Sequence, residues 1–425
     1  MPRRLVRPLQ EFLSTATASG TLLLIAALVA LAWANSPWGD AYERFWRTPA
    51  ELHLGSWEIG HDLRHWVNDG LMTLFFLVVG LEIKREFQTG ELQDRRAAAL
   101  PVVAAVGGMI VPALIYLALN AGGDGSAGWG IPMATDIAFA LGVLVLAARH
   151  APSGLKPFIL TLAIVDDIGA IIVIALFYAG GVSIGFLAAA GVLCVLMLAL
   201  RRVGIRATPV FVGFGALVWL ATYESGVHPA IAGVVLGLLA PAESYQRPRA
   251  VSAEARRTAD LTMDDPEPPD ADAAQWLRLA SLSREAVSPL GRTEHALLPW
   301  TSFLILPLFA LANAGVELSF TRLEAALTAP VSVGVFVGLV LGKPLGVIAG
   351  SVISVRTGLG RLANDVGWGD LAGMGMTAGV GFTVALFIAD LAFPPGPRLD
   401  EAKTAILAAS LVAGVLGYEI GRAHV

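Results

Sequence analysis

Long apolar runs separated by short polar connections occupy almost the whole chain, and their lengths are those of bilayer crossings. A helix rising 1.5 Å per residue needs about 20 mostly apolar residues to cross a hydrocarbon core. Twelve stretches reach or approach that length: 14–34, 66–83, 99–119, 130–148, 157–178, 183–200, 208–223, 227–241, 296–316, 329–353, 371–393 and 403–421. The eighth is short. Between the first two, "ELHLGSWEI" alternates apolar and polar residues around Gly55, the period-2 signature of a small hairpin. The pattern predicts an all-α polytopic membrane protein of about twelve transmembrane helices, with one small β-hairpin on the outer side.

Two of the apolar runs are punctuated. The fourth, "GWGIPMATDIAFALG", carries Pro132 and then Thr135-Asp136, and the eleventh, "GMGMTAGVGFTVALF", carries Gly379 and Gly381 between Thr377 and Thr383. Glycine-mediated helix packing is one reading of such runs. The other is a pair of discontinuous helices in corresponding halves of inverted-topology repeats, where transporters place their sites. The ionisable residues beside the breaks favour the second.

One long interruption divides the chain. Pro241 to Thr293 contains "MDDPEPPDADA", too acidic and proline-rich to bury much apolar surface, followed by "AAQWLRLASLSREA", a short amphipathic helix for a membrane surface. The expected organisation is spans one to eight in residues 1–240, a disordered cytoplasmic linker over 241–293, and spans nine to twelve in 294–425.

Composition agrees with a membrane protein: of 425 residues 56% are hydrophobic and 15% charged. The placement of Lys and Arg adds an orientation. With the N-terminus in the cytoplasm, alternate connections put 22 basic residues inside and 6 outside, leaving Lys343 within a span. That asymmetry is the positive-inside bias and predicts both termini cytoplasmic. The start, "MPRRLVRPLQ" before an apolar run, also resembles a cleaved signal peptide, but a first span with a basic cytoplasmic lead fits the alternation better. Cys194 is single, which excludes a disulfide framework, and no nucleic-acid partner is expected.

Four ionisable residues lie deep within spans: Asp136, Asp166, Asp167 and Lys343. A charge at the bilayer centre costs about 2.5–3.5 kcal/mol on insertion scales, so such groups usually line ion or proton paths. Asp166 and Asp167 are adjacent, and neighbours on a helix diverge by about 100°. One can face a cavity while the other faces a neighbouring helix. Two acids this close titrate as a coupled pair. Carboxylates, the Thr135 hydroxyl and freed carbonyls are hard oxygen ligands, suited to Na⁺ or Li⁺. Protons competing for the same oxygens would make the site an exchanger. Asp136 is placed to neutralise half-helix N-termini and Lys343 the C-termini, with direct pairing of Lys343 and Asp166 as the alternative.

At these residues the chain resembles a known family. "NDGLMTLFFLVVGLEIKRE", "ATDIAFALG", "AIVDDIGAIIVIALFY", "SGVHPAIAGV", "LILPLFALANAGV", "LGKPLG" and "GVGFTVALFIA" are similar, in order and spacing, to the NhaA family of bacterial Na⁺/H⁺ antiporters. That family is itself a known example of inverted repeats, so the broken-helix reading is not independent of it. The resemblance runs from about residue 14 to 421, apart from the 241–293 linker. It implies a secondary transporter rather than an enzyme, without a cofactor, in the bacterial cytoplasmic (inner) membrane. It would export Na⁺ or Li⁺ electrogenically by alternating access, serve pH homeostasis and salt tolerance, and form a homodimer through the outer hairpin. Asp167 then looks like the principal cation ligand and proton carrier. Asp166 looks like its partner and the mate of Lys343, and Thr135 and Asp136 like the extended break beside the cation.

The resemblance also implies a cytoplasmic pH sensor at Glu82, Lys84, Arg85 and Glu86, which end the second span, and at Glu294-His295, which open the ninth; a plain surface anchor is the other reading. Here the chain departs from the family, with Leu298 where a second histidine is common and with a longer acidic linker. The activation pH therefore does not transfer.

Other classes compete. A proton-coupled transporter of another small solute would need a roomier site with more polar and aromatic contacts. "GWGD", Gly367 to Asp370, matches a pattern of intramembrane aspartyl proteases, but Asp370 opens a span rather than lying at depth. "HDLRH", His61 to His65, mimics a helical zinc motif but lacks its glutamate and reads as the start of a helix on the outer surface.

Overall fold

The structure, a computed structural model, describes residues 3–54, 57–147, 154–205, 207–246, 248–263, 269–363 and 365–423. The hairpin tip at 55–56, the end of the fourth span at 148 and residues 264–268 of the acidic segment lie outside the described residues. So do Arg149, Arg206 and Arg247.

Each of the twelve apolar runs is helical over most of its described residues. Seven are long and apolar enough to cross a membrane unaided: Leu63–Thr89, Arg96–Asn120, Pro157–Phe177, Ile184–Arg202, Pro289–Asn313, Pro330–Arg356 and Pro397–Gly421, which are spans two, three, five, six, nine, ten and twelve. The first span lies in the helix Arg3–Ala34, the seventh is Thr208–Glu224, and the eighth is only Ala230–Leu239. The fourth and eleventh are broken. A tight 3₁₀ stretch, Ser126–Met133, is followed by extended residues and then the helix Ile137–Ala147. Trp368–Ala378 and Phe382–Ala392 meet at a bend of 46°. After the first span the chain turns by 116° into the short helix Gly39–Trp46, whose Tyr42 hydroxyl lies 2.8 and 3.0 Å from the carbonyls of Leu311 and Ala312.

Burial sorts the spans into centre and periphery. In an 18-residue apolar stretch of the tenth and of the fifth, 67% and 61% of the residues are buried inside the protein, whereas in the sixth 6% are, and it presents Ile184, Leu187, Val192 and Val195 outward. An apolar helix with so little covered surface is lipid-facing by composition. Small residues bring the central spans together. A Cβ on Gly107 of the third span would collide with the carbonyl of Gly346 on the tenth, and one on Gly350 with the carbonyl of Val103. Gly346 and Gly350 form a GxxxG step, the close-approach device of membrane helices. It seats the third span directly against the Lys343 segment.

Three spans contain a widened π turn: Trp66–Leu71, Thr301–Ile305 and Gly338–Gly342. Such turns concentrate at functional positions, and the last delivers Lys343 as the next residue.

The hairpin forms where the alternation places it. β1 (Pro49–Leu54) pairs antiparallel with β2 (Trp57–Asp62), with Leu52 opposite Ile59. The histidine-containing motif that follows begins a helix, capped by Asp62, whose carboxylate accepts from the backbone N–H of His65 at 2.8 Å.

The stretch read as a disordered linker holds two helices, Pro248–Met263 and Pro269–Glu285. The N–H groups of Tyr245 and Gln246 donate to the carbonyl of Glu285, at 3.0 and 3.1 Å, and Arg278 lies 3.7 Å from Glu254. The proline-rich segment separates the helices, and Pro269 opens the second, where a missing N–H costs nothing.

Candidate cation site

The two broken spans cross at their breaks. The backbone N–H of Asp136 donates to the carbonyl of Val380 at 2.7 Å, so each chain fills a gap in the other's ladder. The Asp136 carboxylate then serves both second halves. Oδ1 accepts from the Phe139 N–H at 3.0 Å, and Oδ2 accepts from the N–H and hydroxyl of Thr383 at 3.1 and 2.6 Å. Two helix N-termini, each a partial positive charge with orphan donors, thus share one buried acid. The Phe382 N–H finds the Ser410 hydroxyl of the twelfth span at 3.2 Å.

The C-terminal ends of the first halves are served differently. Lys343 is 0% exposed, donates to the carbonyl of Met133, and lies 2.7 Å from Asp166 Oδ2. Dipole compensation and direct pairing, alternatives in the sequence, are both realised at the fourth span. At the eleventh, the hydroxyl of Thr135 faces the carbonyl of Ala378 at 2.9 Å, and the same hydroxyl faces Asp166 Oδ2 at 2.7 Å.

Helix rotation separates the adjacent acids as their spacing requires. Asp166 turns to Lys343 and Thr135, while Asp167 lines a cavity of about 100 Å³. No described residue forms a hydrogen bond or ion pair with the Asp167 carboxylate. Oδ1 of Asp166 is also buried without a partner among the described residues. The cavity is lined further by Thr135, Asp136 and Thr383 at one end, and by Glu82, Leu298, Thr301 and Ser302. Carboxylate and hydroxyl oxygens unsatisfied by protein donors, in a space this small, fit a hard monovalent cation as substrate.

Of the second predicted group the structure brings together Arg85, Glu86 and Glu294. Arg85 contacts Glu294, with Glu86 at 3.6 Å from the same guanidinium, and Lys84 Nζ donates to the carbonyl of Leu238 at 2.6 Å. Glu82 faces the cavity instead, and His295 is exposed. So the cavity joins the Glu82 end of the second span to Asp167.

Sequence reasoning missed Ser410 and the carbonyls of Met133, Ala378 and Val380, because backbone groups carry no residue-type signal. It also missed a polar cluster at the other end of the second span. Asp69 Oδ1 lies 3.4 Å from His228 Nε2, and Oδ2 lies 3.1 Å from His65 Nε2. His65 stacks on His61 at 3.8 Å, but among the described residues no group of three or more His, Cys, Asp or Glu is arranged to hold a metal ion. Asp370 of the protease-like motif accepts from the Gly367 N–H at 2.7 Å, a helix-capping role.

A family model described as Na⁺/H⁺ antiporter 1 matches residues 10–420. A Sorangium cellulosum protein named Na⁺/H⁺ antiporter NhaA 2 is 47% identical over 99% of this chain and 91% of its own length. Proteins named Na⁺/H⁺ antiporter NhaA from Janthinobacterium and Anaeromyxobacter are 45% and 48% identical, over 99% and 97% of this chain and 94% and 90% of theirs. A multi-pass helical membrane protein whose broken helices cross over buried acids, matched over nearly its entire length, belongs to the Na⁺/H⁺ antiporter 1 family of transporters.

Proposed function

We propose that the protein exports Na⁺ or Li⁺ from a bacterial cell in exchange for protons, electrogenically and under pH control, by alternating access. Asp167 is the principal cation ligand and proton carrier, Asp166 and Thr135 complete the ligand set, and Asp136 and Lys343 hold the broken helices. The observation that carries the reading is the division between neighbours: Asp166 is tied to Lys343, while Asp167 stands unpaired in the cavity. An unpaired buried carboxylate is costly unless a proton or a cation joins it. Competition for that carboxylate makes loading by one the release of the other.

Further parts of the proposal concern the surroundings. Both termini are cytoplasmic in the inner membrane, which places Glu82, Arg85, Glu86, Glu294 and His295 at the cytoplasmic mouth as pH-responsive groups. Residues 1–240 and 294–425 form two blocks of spans around a cytoplasmic connection. The outer hairpin contributes to a homodimer. A carrier of larger solutes is disfavoured by the cavity, since sites for such ligands usually measure about 300–1,000 Å³.

Inside-out vesicles holding a pH gradient provide the test. Added Na⁺ or Li⁺ collapses the gradient with the unmodified protein and fails to do so with Asp167→Asn. Undiminished exchange in that variant overturns the assignment.

A further inference from the structure

A hydroxyl in a membrane helix has a ready refuge, the carbonyl one turn back. Thr222, Ser351 and Thr377 use it, donating to the carbonyls of Val218, Val347 and Gly373 at 2.8, 2.8 and 2.9 Å. Ser302, in the ninth span, does not. Its acceptor would be the carbonyl of Leu298, which already takes the N–H of Thr301 and, at 3.0 Å, the Thr301 hydroxyl. Ser302 sits in the widened turn Thr301–Ile305, lines the cavity that holds Asp167, and forms no hydrogen bond with any described residue. Glu82, from the second span, lines the same cavity and is likewise without a hydrogen bond or ion pair among the described residues. The ninth span's Leu298 and Leu306 offer the cavity no side-chain oxygen, and Thr301 has its proton committed to Leu298 and its lone pairs free of it.

Polar groups left unsatisfied within a span are costly. An acid and a neutral hydroxyl, both unsatisfied and both facing one small space, are the donor set of a hard cation. The volume adds a constraint. About 100 Å³ holds a cation together with several waters, since one water fits in about 10–15 Å³ of such space. A cation therefore enters this cavity still carrying part of its hydration shell.

We propose that Glu82 and Ser302 form an entry subsite for a partly hydrated Na⁺ or Li⁺, in series with the Asp167 site. The proposal rests on the exchange reading above. Glu82 supplies the charge that draws the ion in. The Ser302 oxygen replaces one water of its shell, and Thr301 offers a lone pair beside it. The ion then gives up further water to Asp167, Asp166 and Thr135. Replacing hydration water by protein oxygens in stages keeps the desolvation cost of each step small.

The subsite lies on the cytoplasmic route alone, so its loss is one-sided. Ser302→Ala removes a hydroxyl on which no described bond depends. In inside-out vesicles, where added Na⁺ meets the cytoplasmic mouth, the KM for Na⁺ in exchange rises about tenfold, the effect of losing roughly one contact of hydrogen-bond strength. There kcat is unchanged, and in right-side-out vesicles KM stays at the parent value. Ser302→Thr keeps the hydroxyl and the parent KM on both faces. An unchanged KM in inside-out vesicles, a fall in kcat alone, or an equal rise on both faces overturns the proposal. Should Ser302→Ala not fold, Ser302→Cys replaces it, since a thiol is a poor ligand for a hard cation, and the same outcomes decide. Asp167→Asn separates the two levels. Exchange retained there removes the site that the subsite serves, while exchange lost there beside a parent-like Ser302→Ala removes only the subsite.

Discussion

Lys343 holds Asp166 at 2.7 Å with neither side chain reaching solvent, while Asp167, the next residue, faces the cavity. The pair fixes one acid and leaves the other, in the proposed mechanism, for exchange. Removing one member of a buried ion pair strands a charge, which typically costs about 3–5 kcal/mol, whereas replacing both with apolar groups is often neutral. Lys343→Ala and Asp166→Leu are each expected to lower the melting temperature in detergent markedly. The double variant Asp166→Leu/Lys343→Met recovers most of the loss. Equal losses in the singles and the double would show that the pair has no such role.

Asp136 connects the second halves of both broken spans. Losing one helix cap costs about 1 kcal/mol, and Asp136→Ala removes two along with a charge-assisted bond. A loss of about 2 kcal/mol or more is expected by thermal or denaturant melting, with Asp136→Asn falling between. A variant as stable as the parent contradicts the capping role.

Gly346 lies against the backbone of Gly107, so the third and tenth spans leave no room for a side chain there. Gly346→Val must push the two apart and move Lys343, three residues away in the same helix. It is expected to reduce folded yield, assayed by size exclusion of solubilised protein. Ile353→Leu, on the exposed part of the same helix, serves as the control.

These relationships were legible in the sequence to different depths. The twelve runs and the hairpin follow from period and length, which are local. Pairing of Lys343 with Asp166 was one of two readings, and separation of Asp166 from Asp167 followed from 100° per residue. Thr135 was legible as a candidate ligand, but its contact with Ala378 was not, because it joins positions 243 apart through a backbone carbonyl. The pairing of Asp69 with His228 is hidden because it joins side chains far apart in the sequence. In 241–293 an overall acidic, proline-rich composition masked the first helix, Pro248–Met263, while the second, Pro269–Glu285, covers the amphipathic stretch that the sequence marks.

His61 joins the hairpin to the seventh span through a contact with the Tyr223 hydroxyl. Partial burial, and then the charge of neighbouring His65, hold its pKa below the usual 6.5, against the opposing pull of Asp69 and Asp62. The folded protein thus prefers the neutral ring, and this anchoring is present above about pH 6.5 and lost as pH falls through the lowered value. Amide protection factors across β1 and β2, corrected for the intrinsic base-catalysed exchange rate, are expected to fall on acidification and to lose that dependence in His61→Phe. Protection that is flat with pH in the parent would refute it.

The central claim is that Na⁺ and protons compete for the Asp167 carboxylate. Calorimetric titration of the purified protein with Na⁺, over a series of pH values and in buffers of different ionisation heat, reads affinity and proton release together. The account predicts that affinity rises with pH to a plateau, that at least about one proton leaves per Na⁺ bound on the acid side, and that Asp167→Asn shows neither. An affinity independent of pH with no proton released, or a parent-like titration in Asp167→Asn, would contradict it.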